Sequence, residues 1–117
     1  MFANVKIGEK NVPMLAMASS NVYYKRIFGV DPIRQQTDKD MTTGEQLEFA
    51  MQMGYVLAMA AEAKGDRKKM LSLNEDTYLE WLDQFENNEY VDPDVLLAVI
   101  NLYNGRPIDS VEKKAES

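Results

Sequence analysis

The chain has no cysteine and no histidine among its 117 residues. Without cysteine it can form neither a disulfide framework nor a thiolate metal site, so nothing in it requires an oxidising compartment. Without histidine it lacks the commonest general base and metal ligand. The sequence also contains no P-loop, dinucleotide-binding glycine motif or nucleophile elbow. We therefore expect no enzymatic activity, no cofactor and no bound metal.

Positive charge and long apolar runs are also scarce. Thirteen Lys and Arg stand against 19 Asp and Glu, for a net charge of −6. This balance argues against nucleic acid and anionic membranes as partners, because both attract clustered positive charge. No stretch holds about twenty uninterrupted apolar residues, and the N-terminus lacks the features of a signal peptide. We expect a cytoplasmic protein that does not contact a membrane.

The composition that remains is typical of a globular domain, with 45% hydrophobic and 27% charged residues. We expect one domain over residues 1–105. Residues 106–117 carry too little apolar surface to offset the entropy lost on ordering, which predicts a flexible C-terminal tail. The predicted fold is α+β and predominantly α-helical, with an N-terminal β-hairpin packed on a bundle of about four helices.

The hairpin is predicted from two short apolar segments, residues 4–7 and 12–15, that flank the polar residues 8–11. Pro13 has no backbone N–H to give to a ladder, so its strand should lie at an edge. The helices are predicted at residues 22–28, 43–64, 75 to about 86, and 93–103, with one further helical turn allowed at 32–35.

The helix at residues 43–64 is the longest apolar-rich stretch of the chain. Thr43 and Gln46 have the spacing of a capping box, and Gly65 can close the last turn. The helix is apolar around most of its circumference, so it is either enclosed by its own domain or presents one face to another protein.

Three residues on a flank of that helix have no obvious cover in the predicted bundle. These are Phe49, Met53 and Val56, and Leu97 raises the same question in the last helix. Methionine fills irregular core gaps and also serves adaptable binding surfaces, and core filling is the safer interpretation. Our hypothesis is that these four residues bind a partner or form a seam between copies of the chain.

Residues 75–94 contain eight acidic side chains and no basic one. They could form a docking face for a basic partner, or a solvated surface whose acidic residues stabilise helix N-termini. We favour the second interpretation, because several of them stand where a helix dipole attracts negative charge. The segment Asp92-Pro93-Asp94 lacks the spacing of a calcium loop.

The order of these features resembles a known family. A hairpin of the form VKIGEKNVPML is followed by a helix ending in YYKRIFGVDPI, a Met-rich and Ala-rich helix, and a helix carrying YLEWLDQFEN. Together these segments, within about residues 4–104, resemble the tail assembly chaperones of long-tailed phages and prophages of Gram-positive bacteria. The best-defined pieces are Tyr24 with residues 28–31, and residues 81–85.

The resemblance implies a non-enzymatic protein that binds the phage tape measure protein and keeps it soluble during tail assembly. It also implies action in the host bacterial cytoplasm and absence from the mature virion. Homo-oligomerisation is expected separately, because excess apolar surface in two helices favours self-association or client binding. Further partners implied are the major tail protein and a longer, frameshifted form of the chain itself. The alternative from another class is a small acidic regulatory or anti-host protein that acts by protein–protein binding through residues 75–94.

Overall fold

The computed structural model describes residues 1–37, 40 and 42–106, and it confirms an α+β fold with an N-terminal hairpin and helices. The tail expected from residue 106 lies, apart from Arg106, outside the described residues. In chain order the elements are β1 (Phe2–Ile7), β2 (Lys10–Leu15), α1 (Ser20–Phe28), α2 (Pro32–Thr37), α3 (Thr43–Ala63), α4 (Arg67–Leu71), α5 (Glu75–Leu82), α6 (Asn87–Tyr90) and α7 (Pro93–Tyr103).

The hairpin is tighter than the sequence predicts. Ile7 pairs with Lys10, so the connection is the two residues Gly8 and Glu9 instead of the four residues expected. Gly8 has φ +62°. A glycine with positive φ at the first loop position is typical of a type II′ turn, whose twist matches that of the two strands.

The hydrogen bonds at the open end of the hairpin show which residue pairs of the two strands are hydrogen-bonded. The Met1 amine donates to the Ala16 carbonyl at 2.7 Å, and the Ala16 N–H donates to the Met1 carbonyl at 2.8 Å. Such an exchange marks a hydrogen-bonded pair, and these pairs alternate along an antiparallel ladder. The inner pairs of this kind are therefore Ala3 with Met14, Val5 with Val12, and Ile7 with Lys10.

The remaining pairs direct their backbone groups away from the partner strand. Pro13 lies opposite Asn4 in one of these pairs. Its missing N–H would therefore point to the outer edge of β2, and the proline removes no ladder bond. On β1 the backbone groups of Phe2, Asn4 and Lys6 point to the other outer edge.

The N-cap of helix α3 is one residue earlier than predicted. Thr42, not Thr43, is the N-cap: its hydroxyl accepts from the Glu45 N–H at 3.1 Å, and a Glu45 carboxylate oxygen accepts from the Thr42 N–H at 3.0 Å. Each threonine is followed, three positions later, by a residue that can complete a capping box: Glu45 after Thr42 and Gln46 after Thr43. The charged carboxylate of Glu45 gains more from the positive end of the helix dipole than the neutral amide of Gln46.

The rest of the domain encloses α3. Strand β2 and helices α1, α2, α4, α5 and α7 all contact it. Its buried residues are Phe49, Ala50, Met53, Gly54, Tyr55, Val56, Leu57, Ala58, Ala60 and Ala63. The helix is therefore covered by its own domain on the flanks as well as on the central stripe.

Aromatic rings form a continuous chain of contacts around α3. Neighbouring ring centroids are 5.0–5.9 Å apart and are inclined to one another. Such pairs contribute about 0.5–1.5 kcal/mol each beyond the burial of their area. In order of contact the rings are Tyr103, Phe49, Tyr24, Phe28, Tyr78, Tyr55, Trp81, Phe85 and Tyr90.

Two short helices were not predicted. Asp66 caps α4 by accepting from the Lys68 and Lys69 N–H groups at 3.0 and 3.4 Å. Residues 87–90, expected to end a longer helix, form α6 after α5 has already stopped at Leu82. Helices of one turn are too short to show a 3.6-residue period in the sequence.

Gly54 of α3 lies directly against Tyr90 of α6 and close to Val99 of α7. A Cβ at this position would overlap the Tyr90 hydroxyl and lie 3.3 Å from Val99 Cγ2. Tyr90 is 2% exposed, and its hydroxyl donates to the Met51 carbonyl at 2.7 Å. We expect Gly54→Ala to lower the free energy of unfolding by about 2–4 kcal/mol, measured by urea denaturation.

A control for Gly54→Ala lies in the first turn of the same helix. The nearest atom to a Cβ at Gly44 is the Thr42 hydroxyl at 4.0 Å. Gly44→Ala should therefore raise stability by up to about 1 kcal/mol through helix propensity alone. Equal effects of the two substitutions would contradict the steric explanation.

Buried tyrosines predict a loss of stability at alkaline pH. Burial raises the pKa of Tyr78 to about 12 and also raises the pKa of Tyr24, Tyr55, Tyr90 and Tyr103. Because these folded-state values exceed the unfolded value near 10, the unfolded chain loses its phenolic protons first as pH rises. The tyrosine contribution to stability is complete below about pH 10 and falls as the pH rises above that value, with the part due to Tyr78 lost by about pH 12.

This pH dependence can be measured as the urea midpoint between about pH 8 and 12. Tyr78→Phe should reduce the slope above about pH 10, because one of the raised phenol groups is gone. An unchanged slope in that variant would show that Tyr78 does not contribute to the loss of stability at alkaline pH.

Candidate interaction surface beside β1 and α7

The structure places three of the four predicted partner-binding residues in the core. Phe49 is 4% exposed, and Met53 and Val56 are 0% exposed. The Phe49 ring lies between those of Tyr24 and Tyr103, at centroid distances of 5.6 and 5.9 Å. The expectation that this flank is uncovered is therefore wrong, because α1, α7 and the hairpin surround α3 from different sides.

The fourth predicted residue, Leu97, lies on the surface of α7 and is 53% exposed. Leu102 of the same helix, by contrast, is fully buried. Other large apolar side chains are exposed in the described part of the chain, at Met1, Phe2, Val22, Val30, Ile33, Leu71 and Leu79. Leu97 differs from these seven because it lines the groove between β1 and α7 described next.

This groove has a volume of about 420 Å³. One wall is the outer edge of β1, and the other is α7 with the end of α6. Its lining residues are Asn4, Val5, Lys6, Gly8, Asn88, Glu89, Asp92, Asp94, Val95, Leu97 and Ala98. We call it the β1–α7 groove.

Strand β1 and helix α7 run in opposite directions along the β1–α7 groove. At one end Gly8 lies against the Glu89 carboxylate, just before α7 begins. At the other end Met1 shares a separate cavity with Leu102 and Tyr103, where α7 stops. Lys6 is therefore nearer the N-terminal end of α7, and the first residues of β1 are nearer its C-terminal end.

The charge in the groove is mainly negative and concentrated at the Gly8 end. Glu89, Asp92 and Asp94 lie there, and Lys6 is the one basic side chain among the lining residues. Two of these acids also have local structural roles. Glu89 accepts from the Glu86 N–H at 3.0 Å, and Asp92 caps α7 by accepting from the Asp94 N–H at 2.8 Å.

The opposite edge of the hairpin borders another groove, between β2 and the helices α3 and α5. Here Lys10 reaches across: its ammonium donates to the Gln84 carbonyl at 3.1 Å and lies 5.4 Å from the centroid of the Phe85 ring. Pro13 also lines this groove. The edge of β2 is thus partly closed by side chains of the chain itself.

Within residues 1–37, 40 and 42–106, no group of three or more Asp or Glu side chains is placed to hold a metal ion. No helix of this part of the chain combines the length and apolar character needed to cross a membrane. Comparison with protein-family models, curated proteins and solved structures found no match to the chain.

Sequence reasoning missed the contribution of β1 to the groove. Asn4 and Lys6 are polar strand residues without an apolar pattern that would mark an interface. The signal that could have been used is Pro13, which makes the two edges of a two-stranded sheet unequal.

The corrected positions of the predicted residues give a stability test. Val56→Asp or Met53→Asp places a carboxylate in the core and should lower stability by at least about 3 kcal/mol. Leu97→Gln should change it by no more than about 0.5 kcal/mol, because the side chain is already half in solvent. Thermal melts followed by circular dichroism measure both effects. A native melt for Val56→Asp would mean that this flank is not core.

Proposed function

We propose that this protein is a non-enzymatic phage tail assembly chaperone that binds the tape measure protein and keeps it soluble during tail morphogenesis. It would act in the host bacterial cytoplasm and be absent from the mature virion. The observation that carries the proposal is the ordered resemblance of the hairpin, the YYKRIFGVDPI helix, the Met-rich helix and the YLEWLDQFEN helix to that family.

The burial of α3 limits where such a client can bind. With Phe49, Met53 and Val56 enclosed, a groove built on that flank is not accessible in the folded chain. The β1–α7 groove offers an accessible alternative with an exposed apolar side chain, Leu97, and an open strand edge. We therefore assign client binding to this groove. The homo-oligomer, the major tail protein and a frameshifted longer form remain part of the proposal as further partners.

One observation favours the second candidate function, a small acidic regulatory or anti-host protein that acts by protein–protein binding. Six of the eight acidic residues in 75–94 are exposed, and the other two line the β1–α7 groove. Exposed negative charge attracts basic partners. Such binding depends on exposed charges and is therefore screened by salt.

Co-expression with the tape measure protein of the same phage tests the proposal. We expect most of the tape measure protein to be soluble when this chain is present and insoluble when it is absent. The complex should remain intact when salt is raised from about 0.1 to 1 M, because apolar and backbone contacts are screened little. Release of a partner at high salt, with no effect on tape measure solubility, would favour the regulatory alternative.

Leu97→Gln should reduce the soluble fraction of the tape measure protein in this experiment. The matched control is Leu79→Gln, which removes a leucine of similar exposure, 55%, from α5. Equal loss with both variants would mean that Leu97 has no particular role in binding.

A further inference from the structure

The two outer edges of the hairpin are protected unequally. Exposed strand edges readily pair with other chains, and proteins usually block them with proline, charge or covering side chains. On β2, Pro13 removes an outward N–H and Lys10 reaches over to Gln84. On β1, Phe2 and Asn4 carry neither a charge nor a proline, and only Lys6 adds charge.

The backbone of β1 is available for pairing. In the described residues, no backbone hydrogen bond outside the hairpin involves the outward N–H or carbonyl groups of Phe2, Asn4 or Lys6. These groups recur at every second residue, which is the spacing that an added antiparallel or parallel strand requires. The edge thus presents donors and acceptors in the order of a sheet ladder.

The position of a third strand is set by the geometry of the sheet. Added strands lie about 4.8 Å beyond the last one. Beyond β1 this places the strand in the β1–α7 groove, above Leu97 and Ala98 of α7. Every second side chain of that strand would face the helix and cover Leu97, which is 53% exposed.

The charge of the groove indicates what the added strand carries. Glu89, Asp92 and Asp94 at one end favour a Lys or Arg side chain, while Leu97 farther along favours an apolar one. Residues two apart on a strand share a face. A second copy of this chain fits poorly, because each copy has a net charge of −6 and would bring the same carboxylates to the interface.

We propose that β1 binds an extended segment of the client protein as a third strand, with an apolar side chain over Leu97 and a basic side chain two residues away near Asp94. That the client is the tape measure protein rests on the proposed function, whereas the strand addition does not. A segment held in this way is kept extended and its backbone groups are not free to pair within its own chain.

The probe is a fluorescent peptide with the sequence Val-Thr-Lys-Thr-Val-Thr-Lys-Thr, in which valine and lysine share one face. Fluorescence anisotropy measures its binding to the full chain. A peptide with glutamate in place of lysine should bind at least about tenfold more weakly. No binding of the lysine peptide at about 1 mM, or equal binding of the two peptides, would overturn the proposal.

Asn4→Pro tests the strand edge directly. It removes an outward N–H of β1 and spares the ladder, as Pro13 does on the opposite strand. We expect binding of the lysine peptide to weaken by about tenfold. Asn11→Pro is the matched control, because it makes the same change on the outer edge of β2 and should leave affinity unchanged. Equal effects of the two prolines would overturn the proposal.

Amide hydrogen exchange of the wild-type chain gives an independent readout if Asn4→Pro fails to fold. Peptide binding should slow exchange at Asn4 and Lys6, whose N–H groups point outward. It should change exchange little at Val5, whose N–H already belongs to the ladder. Equal protection of all three amides, or of none, would contradict strand addition.

The solubility experiment separates this inference from the proposed function. If the wild-type chain binds the peptide along β1 but does not keep the tape measure protein soluble, the chaperone function is wrong and strand addition stands. If Asn4→Pro keeps the tape measure protein soluble as well as the wild type does, the tape measure protein does not bind as a third strand on β1, and the peptide experiments alone then decide strand addition.

Discussion

The contact between Tyr90 and α3 at Gly54 is the constraint on which the arrangement of the C-terminal half depends. Because residue 54 has no side chain, the Tyr90 hydroxyl can reach the Met51 carbonyl inside the helix turn. This contact fixes the end of α6 and therefore the point where α7 begins, three residues later. Glu89, the neighbour of Tyr90, packs against Gly8 of the hairpin turn. One anchored turn thus positions the core packing of α7 and one end of the β1–α7 groove.

Local sequence signals predicted most of the elements, since the hairpin, α1, α3 and α7 all have turn or capping residues that mark their ends. They did not predict which faces of α3 would be covered. A helix that is apolar all round has no periodic signal to distinguish a core face from a binding face, so Phe49, Met53 and Val56 could not be assigned from spacing. Phe49, for example, contacts rings as distant in sequence as Tyr24 and Tyr103. Leu97 was predicted because residues 95, 96, 99, 100 and 103 already make a full buried stripe on α7, and β1 was missed because an open strand edge is a property of backbone pairing.

Some acidic residues of 75–94 have two roles, because they cap helices and also add negative charge to the β1–α7 groove. Glu89 and Asp92 satisfy backbone N–H groups at helix starts, as the safer interpretation of the sequence requires. The same folding places them around one end of the β1–α7 groove, where their charge also acts on anything that enters it. Local capping and the electrostatics of a surface are therefore not alternatives here, because the caps lie on the wall of the groove.

The enclosure of α3 by elements from both ends of the chain has a consequence for synthesis on the ribosome. Helix α3 is complete at Ala63, but α5 and α7, which cover part of it, end at Leu82 and Tyr103. At about 5–20 residues per second, the last of this cover is made some 2–8 s after the helix. During that interval the longest helix of the described residues is only partly covered by the hairpin and α1. The nascent chain thus passes through a stage in which it exposes the kind of surface that chaperones bind.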